Sequence, residues 1–163
     1  MEDYVPMTRA GFNKKKAELE LMEGVQMPAI AEKIAAARAE GDLKENAEYH
    51  AQREAQGLLQ ARINYTKNQL AHATIIDPAT LPRDQVCFGA TVVVKDVDLG
   101  DDEEYTLVGA GEEDYNCGRI LVTSPLGQAL LGKKIGQVAK VSAPKGAYEL
   151  EVVSIKFDFL DGE

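Results

Sequence analysis

Apolar side chains recur at helical intervals through the first half of the chain, whereas short β-branched and aromatic runs punctuate the second half. Phe12, Leu19 and Met22, then Ile30, Ile34 and Ala37, mark one face of a stretch rich in Ala, Glu, Lys and Leu. Thr8 stands before it as an N-cap would, which predicts a helix from Arg9 to about Arg38. Gly24 and Pro28 interrupt that pattern. A mid-helix Pro costs about 3 kcal/mol and a Gly about 1 kcal/mol. The sequence therefore predicts a kink there, or a first helix ending near Glu23 and a second restarting with Pro28 in its opening turn.

After Gly41 a second helical pattern runs from Asp42 to about Ala73. Leu59, Ile63, Thr66, Leu70 and Ala73 step by four, three, four and three, and Ala47, Ala51 and Ala55 extend the seam toward the break. Small residues let helices approach closely, so the pattern predicts an antiparallel hairpin that is thin at its tip and bulkier at its base. Roughly 30 residues at about 1.5 Å each give an arm of about 45 Å. Such an arm is long for a 163-residue chain, so the hairpin is expected to project.

Residues 78–84, with Pro78 and Pro82, show no periodicity and read as a linker. Beyond it, Thr91–Val94, Tyr105–Val108, Ile120–Thr123, Val138–Val141 and Tyr148–Ile155 read as strands between Gly- and Asp-rich turns. Ser124, Pro125 and Gly132 bracket a short helix as N-cap, first helical residue and C-terminal stop. The fold class is α+β: an N-terminal antiparallel coiled-coil hairpin over 1–77, and a small antiparallel β-sheet domain with a short helix over 85–163. Asp98 to Glu104 reads as a solvated hairpin turn, because no spaced ligand pattern closed by a distal Glu makes it a calcium loop.

Composition narrows the function. The formal net charge of −9 argues against broad clamping of nucleic acid through phosphate neutralisation. Residues 1–77 hold 10 Lys and Arg against 12 Asp and Glu, whereas residues 78–163 hold 8 against 15. The second half thus favours a basic or protein partner, and nucleic-acid contact falls to a local patch on the first half. No apolar run approaches the roughly 20 residues of a membrane span. The N-terminus lacks the order of a secretory signal, so a cytoplasmic protein without a membrane partner is expected. Cys87 and Cys117 share no zinc-ligand spacing and are expected to be reduced. His50 and His72 read as surface residues.

The most informative segment is the tip, Gly41 to Tyr49, reading Gly-Asp-Leu-Lys-Glu-Asn-Ala-Glu-Tyr. Asp42 and Glu45 have the spacing of a capping box, each accepting from an unpaired backbone N–H at a helix start. The same two carboxylates offer oxygen ligands to a divalent cation such as Mg²⁺, as half of a site completed from elsewhere. Both uses are compatible. Arg38, Lys44 and Arg53 read either as solvated partners of Glu40, Glu48 and Glu54, or as a basic patch for a phosphate backbone. Asn46 is expected to brace the turn by hydrogen bonds. Tyr49 is expected to brace it by packing, with base stacking as its other reading.

This nine-residue segment resembles the signature of the GreA/GreB family of bacterial transcript cleavage factors, and matches the GreA branch closely. Pro6-Met7-Thr8 with Gly11, Ile75-Ile76-Asp77, Phe88-Gly89-Ala90-Thr91-Val92 and Ser124-Pro125-Leu126 through Leu131-Gly132-Lys133 are similar to that family too. The resemblance spans the chain in order. It implies a coiled-coil hairpin followed by a domain of FKBP-like fold that docks at the rim of the RNA polymerase secondary channel. Ser124, Pro125 and Leu126 are the docking candidates. It further implies that Asp42 and Glu45 reach the polymerase active centre, share its second Mg²⁺, and promote cleavage of a backtracked RNA 3′ end. Arg38, Lys44 and Arg53 would face that RNA. The protein would bind no cofactor alone, catalyse nothing alone, and act as a monomer. Three other readings are a channel-binding inhibitor with the same architecture, a peptidyl-prolyl isomerase, which needs an aromatic-lined pocket, and a coiled-coil scaffold.

Overall fold

Thr8 is the cap that the sequence predicts, its Oγ1 accepting from the Gly11 N–H at 3.0 Å. In the computed structural model, which describes residues 4–157, the first helical stretch comprises α1 (Arg9–Leu21), a π-helical turn (Met22–Gln26) and α2 (Met27–Arg38). The Met27 N–H donates to the Met22 carbonyl, five residues back rather than four. Pro28 sits in the opening turn of α2, as expected, and has no N–H to donate. In an unbroken α-helix its ring would crowd the Gly24 carbonyl. The wider π-turn accommodates that conflict without ending the helix, so α1 stops at Leu21 while the chain stays helical through Gly24.

The second long helix, α3 (Ala47–Ala71), starts five residues later than the sequence predicts. Its 25 residues extend about 38 Å at 1.5 Å per residue. Met22, Leu59 and Ile63 form the buried centre between the helices, with Leu19, Met27 and Ile30 against it. Ile34, Ala37 and Thr66 are buried as their spacing predicts. Nearer the tip the expected alanine seam is displaced. Ala47 and Ala51 are exposed, whereas Tyr49, Gln52, Ala55 and Gln56 are half-buried. Repeated steps of four drift round a helix of 3.6 residues per turn, so beyond Ala55 the seam passes to Gln52 and Tyr49 and leaves Ala51 and Ala47 outside it. An ion pair between Lys67 and Glu23 at 2.8 Å joins the helices farther from the tip.

Residues 13–73 make one compact unit; residues 4–12 and 74–157 make another. Residues 4–12, which the sequence places with the hairpin, lie in the second unit for a physical reason. Val5–Met7 is a strand, β1, paired with β2 (Ala73–Ile75). Met7 is fully buried, and its carbonyl accepts from the Ile76 N–H at 2.8 Å. The 78–84 segment is likewise no free linker. Asp77 Oδ1 caps a 3₁₀ turn (Pro78–Thr80) by accepting from the Ala79 N–H, and Ile76 and Leu81 pack on the sheet core.

That core lies on one face of a five-stranded sheet: β3 (Thr91–Asp96), β4 (Asp102–Val108), β5 (Arg119–Leu121), β6 (Val138–Val141) and β7 (Tyr148–Lys156). The strand order is β5-β4-β3-β7-β6. All pairings are antiparallel except β4 with β5, and a register shift at Val93/Val94 disturbs the β3–β7 ladder. Val92, Val94, Leu107, Ala139, Leu150 and Val152 bury one face against Leu130 of α4 (Pro125–Leu130). The expected α+β fold class and helical hairpin are present, and the sheet, expected to be antiparallel, is so apart from the parallel β4–β5 pair. The acidic turn is shorter than predicted because Asp102, Glu103 and Glu104 already belong to β4. Asp96 Oδ1 closes it by accepting from the Asp98 and Leu99 N–H groups. Both cysteines are free; burial pushes the Cys87 thiol up, and the hydrogen bond to Asp114 does the same at exposed Cys117.

Gly127 in α4 carries one of the two tightest packing constraints of the second unit, Gly109 being the other. A methyl group there would lie 2.5 Å from the Leu121 carbonyl oxygen and 2.7 Å from that of Val122. Neither carbonyl can move without disturbing β5. Gly127→Ala is therefore expected to destabilise this unit by about 3 kcal/mol, at the upper end of overpacking costs. Urea unfolding followed by Tyr fluorescence and by helical circular dichroism reads the loss.

Candidate functional site

Between Arg38 and Ala47 the chain reverses through turns and bends rather than regular helix. Gly41 takes φ +117°, a conformation that side chains disfavour, and a Cβ there would meet nothing. Backbone geometry rather than crowding accounts for glycine at the reversal. Asn46 then anchors the turn from both sides. Its Oδ1 accepts from the Tyr49 N–H at 3.0 Å, which makes Asn46 the N-cap of α3. Its Nδ2 donates across the hairpin to the Ala37 carbonyl at 2.6 Å. One side chain thus satisfies an unpaired donor at the start of α3 and adds a second hydrogen bond to a carbonyl in the last turn of α2, which also accepts from the Glu40 N–H.

This arrangement replaces the capping box expected of Asp42 and Glu45. Asp42 Oδ1 accepts from the Lys44 N–H at 2.9 Å, closing a local Asx turn within the reversal. Its second carboxylate oxygen makes no hydrogen bond among the described residues. Glu45 makes none among the described residues, and both residues are exposed. The two carboxylates are thus presented from a pinned turn with acceptor capacity to spare.

The basic residues flanking the tip are also uncommitted to acids. Arg38, Lys44 and Arg53 form no ion pair among the described residues, so the expected partners Glu40, Glu48 and Glu54 are not engaged by them. Arg53 instead donates from Nη1 to the Tyr49 hydroxyl at 3.1 Å and lies over the Tyr49 ring at 5.9 Å. His50 meets the edge of the same ring, with centroids 5.5 Å apart. Tyr49 therefore braces Arg53, four residues along α3.

The donor set suits a hard dication only in part. One open oxygen of Asp42 and the carboxylate of Glu45 match what Mg²⁺ accepts, but its octahedron needs further ligands. No group of three or more His, Cys, Asp or Glu side chains among the described residues is placed to hold a metal ion. The tip fits as part of a site that a partner completes.

Of the docking candidates, Ser124 is occupied at home: its Oγ caps α4 by accepting from the Gly127 N–H at 3.1 Å and donates to the Leu121 carbonyl. Leu126 packs against the sheet core, which leaves Pro125 as the exposed member.

The profile described as "Transcription elongation factor, N-terminal" matches residues 5–75, and the one described as "Transcription elongation factor, GreA/GreB, C-term" matches residues 81–157. The chain belongs to the GreA/GreB family. Transcription elongation factor GreA of Thermodesulfovibrio yellowstonii is 44% identical over 158 residues, spanning 97% of this chain and all of that one. GreA of Brucella anthropi is 47% identical over 157 residues, spanning 96% and 99%. Among solved structures, GreA factor homolog 1 of Thermus thermophilus matches over 94% of this chain and 99% of that one, with 24% identity and a TM-score of 0.45.

As a GreA/GreB member the chain is a transcription elongation factor that works with RNA polymerase. No helix among the described residues is long and apolar enough to cross a membrane. In the second unit a cavity of about 330 Å³ is lined by Thr8, Thr91, Thr106, Glu112 and Arg119, with Phe88 its one aromatic residue. Pro78, Leu107 and Val108 line it too, and with a single aromatic side chain it does not supply the aromatic-lined pocket that a prolyl isomerase needs.

Proposed function

We propose that this protein inserts its hairpin into the secondary channel of bacterial RNA polymerase and activates the polymerase to cleave backtracked RNA. The reading rests on one observation above the rest: exposed Asp42 and Glu45 stand on a reversal pinned from both helices by Asn46. Asp42, through the oxygen that Lys44 does not use, and Glu45 hold a Mg²⁺ shared with the polymerase. When bound, that ion supplies charge stabilisation for in-line displacement at the RNA phosphodiester.

The remaining roles fall to the chain's own side chains. Asn46 keeps the reversal from fraying, so both carboxylates arrive in one orientation, as a site built on rigid elements requires. Arg38, Lys44 and Arg53 face the phosphates of the extruded RNA, positioning it without reading sequence. Tyr49 limits the positions Arg53 can take. Two exposed carboxylates bind a hard cation weakly, so the protein alone is no nuclease and the polymerase performs the hydrolysis. A hairpin that enters a channel does so singly, so the protein acts as a cytoplasmic monomer. Pro125 and neighbouring loops provide contact at the channel rim.

Adding the protein to stalled, backtracked elongation complexes tests the reading. Short RNA 3′ fragments should be released and extension should resume, and neither should occur with polymerase omitted. Suppressed fragment release would instead identify a channel-binding inhibitor.

A further inference from the structure

Midway along the hairpin, two runs of side chains face each other across a groove of about 430 Å³. Gln26, Ala29, Ile30 and Lys33 line one wall, and Ala55, Leu58, Leu59 and Arg62 line the other. Each run follows i, i+3, i+4, i+7, so each is one stripe of a helix. Leu59 is buried in the hairpin core, whereas Leu58 beside it is 63% exposed. The groove's charge is one-sided: it has two cations and no carboxylate. Neither Lys33 nor Arg62 makes an ion pair or hydrogen bond among the described residues.

The direction of pairing fixes where those cations lie. Lys67 with Glu23 and Asn46 with Ala37 show that the helices run antiparallel. Lys33 therefore ends its run on the tip side, and Arg62 ends its run on the opposite side. Seven residues at 1.5 Å each separate the two ends by about 10 Å. Carboxylates seven positions apart on a helix have the same spacing, with apolar positions three and four residues along between them.

We propose that this groove docks an amphipathic helix of RNA polymerase, with an apolar stripe over Leu58 and acidic residues at i and i+7 meeting Lys33 and Arg62. The inference rests on the polymerase-partner reading above. Single-stranded RNA fits less well, because the groove offers no aromatic platform for bases and only two cations. A helix laid in a hydrophobic groove presents its own anchors at i, i+3, i+4 and i+7, so a single helix can set an apolar stripe and both flanking acids here.

Binding of the full-length protein to polymerase core enzyme free of nucleic acid tests this, with Leu58→Gln and the double variant Lys33→Glu/Arg62→Glu beside the wild type. Each should raise the Kd about tenfold, as loss of an interface anchor or reversal of its charges does. At saturating protein, both should stimulate cleavage at the wild-type rate. All three side chains are exposed, and helical circular dichroism verifies that the hairpin is intact. Unchanged Kd values for both variants would overturn the proposal. So would an unchanged Kd with a raised half-saturating concentration in backtracked complexes, which would assign the groove to RNA. The binding assay contains no RNA and reads no cleavage. A wild-type protein that binds core enzyme but does not stimulate cleavage would therefore count against the tip reading alone.

Discussion

Replacing Asp42 by Asn is expected to lower stimulated RNA cleavage on the order of 100-fold, as loss of a charged contact to a catalytic metal site does. Folding stability should stay within about 0.5 kcal/mol of the wild type, as for surface changes that spare local structure. The two effects separate because Asp42 has two separable uses. Its Oδ1 closes the turn on the Lys44 N–H, and an Asn carbonyl oxygen can take that bond unchanged. What Asn lacks is the negative charge and the second anionic oxygen. Single-turnover cleavage in backtracked complexes at saturating protein reads the first effect, and thermal melting by circular dichroism reads the second. A parallel fall in both would mean that Asp42 acts only by holding the turn together.

Asn46→Ala should reach a similar loss of activity by a different route. The substitution removes the α3 cap, costing about 1 kcal/mol, and the bond to Ala37, costing about another 1 kcal/mol. Both losses fall on the same few residues, so the reversal opens locally while the hairpin centre around Met22, Leu59 and Ile63 persists. Once the turn frays, Asp42 and Glu45 no longer arrive in one orientation, and cleavage should drop at least about tenfold, since loosely held sites lose most of their effect. Asn46→Asp tells the two bonds apart. Asp caps as well as Asn, but it has no Nδ2–H for the Ala37 carbonyl and sets a carboxylate against it. Faster amide exchange at Tyr49 is expected in the Ala variant and near-native exchange in the Asp variant. Both should lose cleavage if the cross-hairpin bond is what orients the tip.

These outcomes also show what could be read from the chain before its structure. The hairpin was legible because Ile30, Ile34, Ala37, Leu59 and Ile63 keep helical spacing and are in fact half-buried or buried. The sheet was legible because β-branched runs alternate with Gly- and Asp-rich turns. Less visible was the pairing of Val5–Met7 with Ala73–Ile75, since two three-residue strands carry too few positions to show a period. The π-turn was hidden for a similar reason. Gly24 and Pro28 signal trouble for a helix, but whether the chain breaks, kinks or widens depends on Met22 being held in the core.

At the site, the identities were legible and the roles were not. Asp42 and Glu45 match a capping box by spacing, yet Asn46 takes the cap because it carries an acceptor and a donor in one amide. Only the donor reaches Ala37, a contact nine residues back in sequence that no local pattern encodes. The basic residues near the tip showed the converse. Abundant Glu nearby suggests ion pairs, but Arg38, Lys44 and Arg53 find none among the described residues, and Arg53 turns to Tyr49 instead. The seam of Leu59, Ile63 and Thr66 leaves Leu58 off the buried face, and Leu58 is indeed 63% exposed beside buried Leu59.

The Mg²⁺ dependence of cleavage, measured at saturating protein for the wild type, Asp42→Asn and Glu45→Gln, bears most directly on the tip. If the two carboxylates hold the ion, each substitution should raise the half-saturating Mg²⁺ concentration severalfold, while that for nucleotide addition by the same polymerase stays fixed. Cleavage rates that fall with no change in the Mg²⁺ half-saturation would contradict a metal-holding tip.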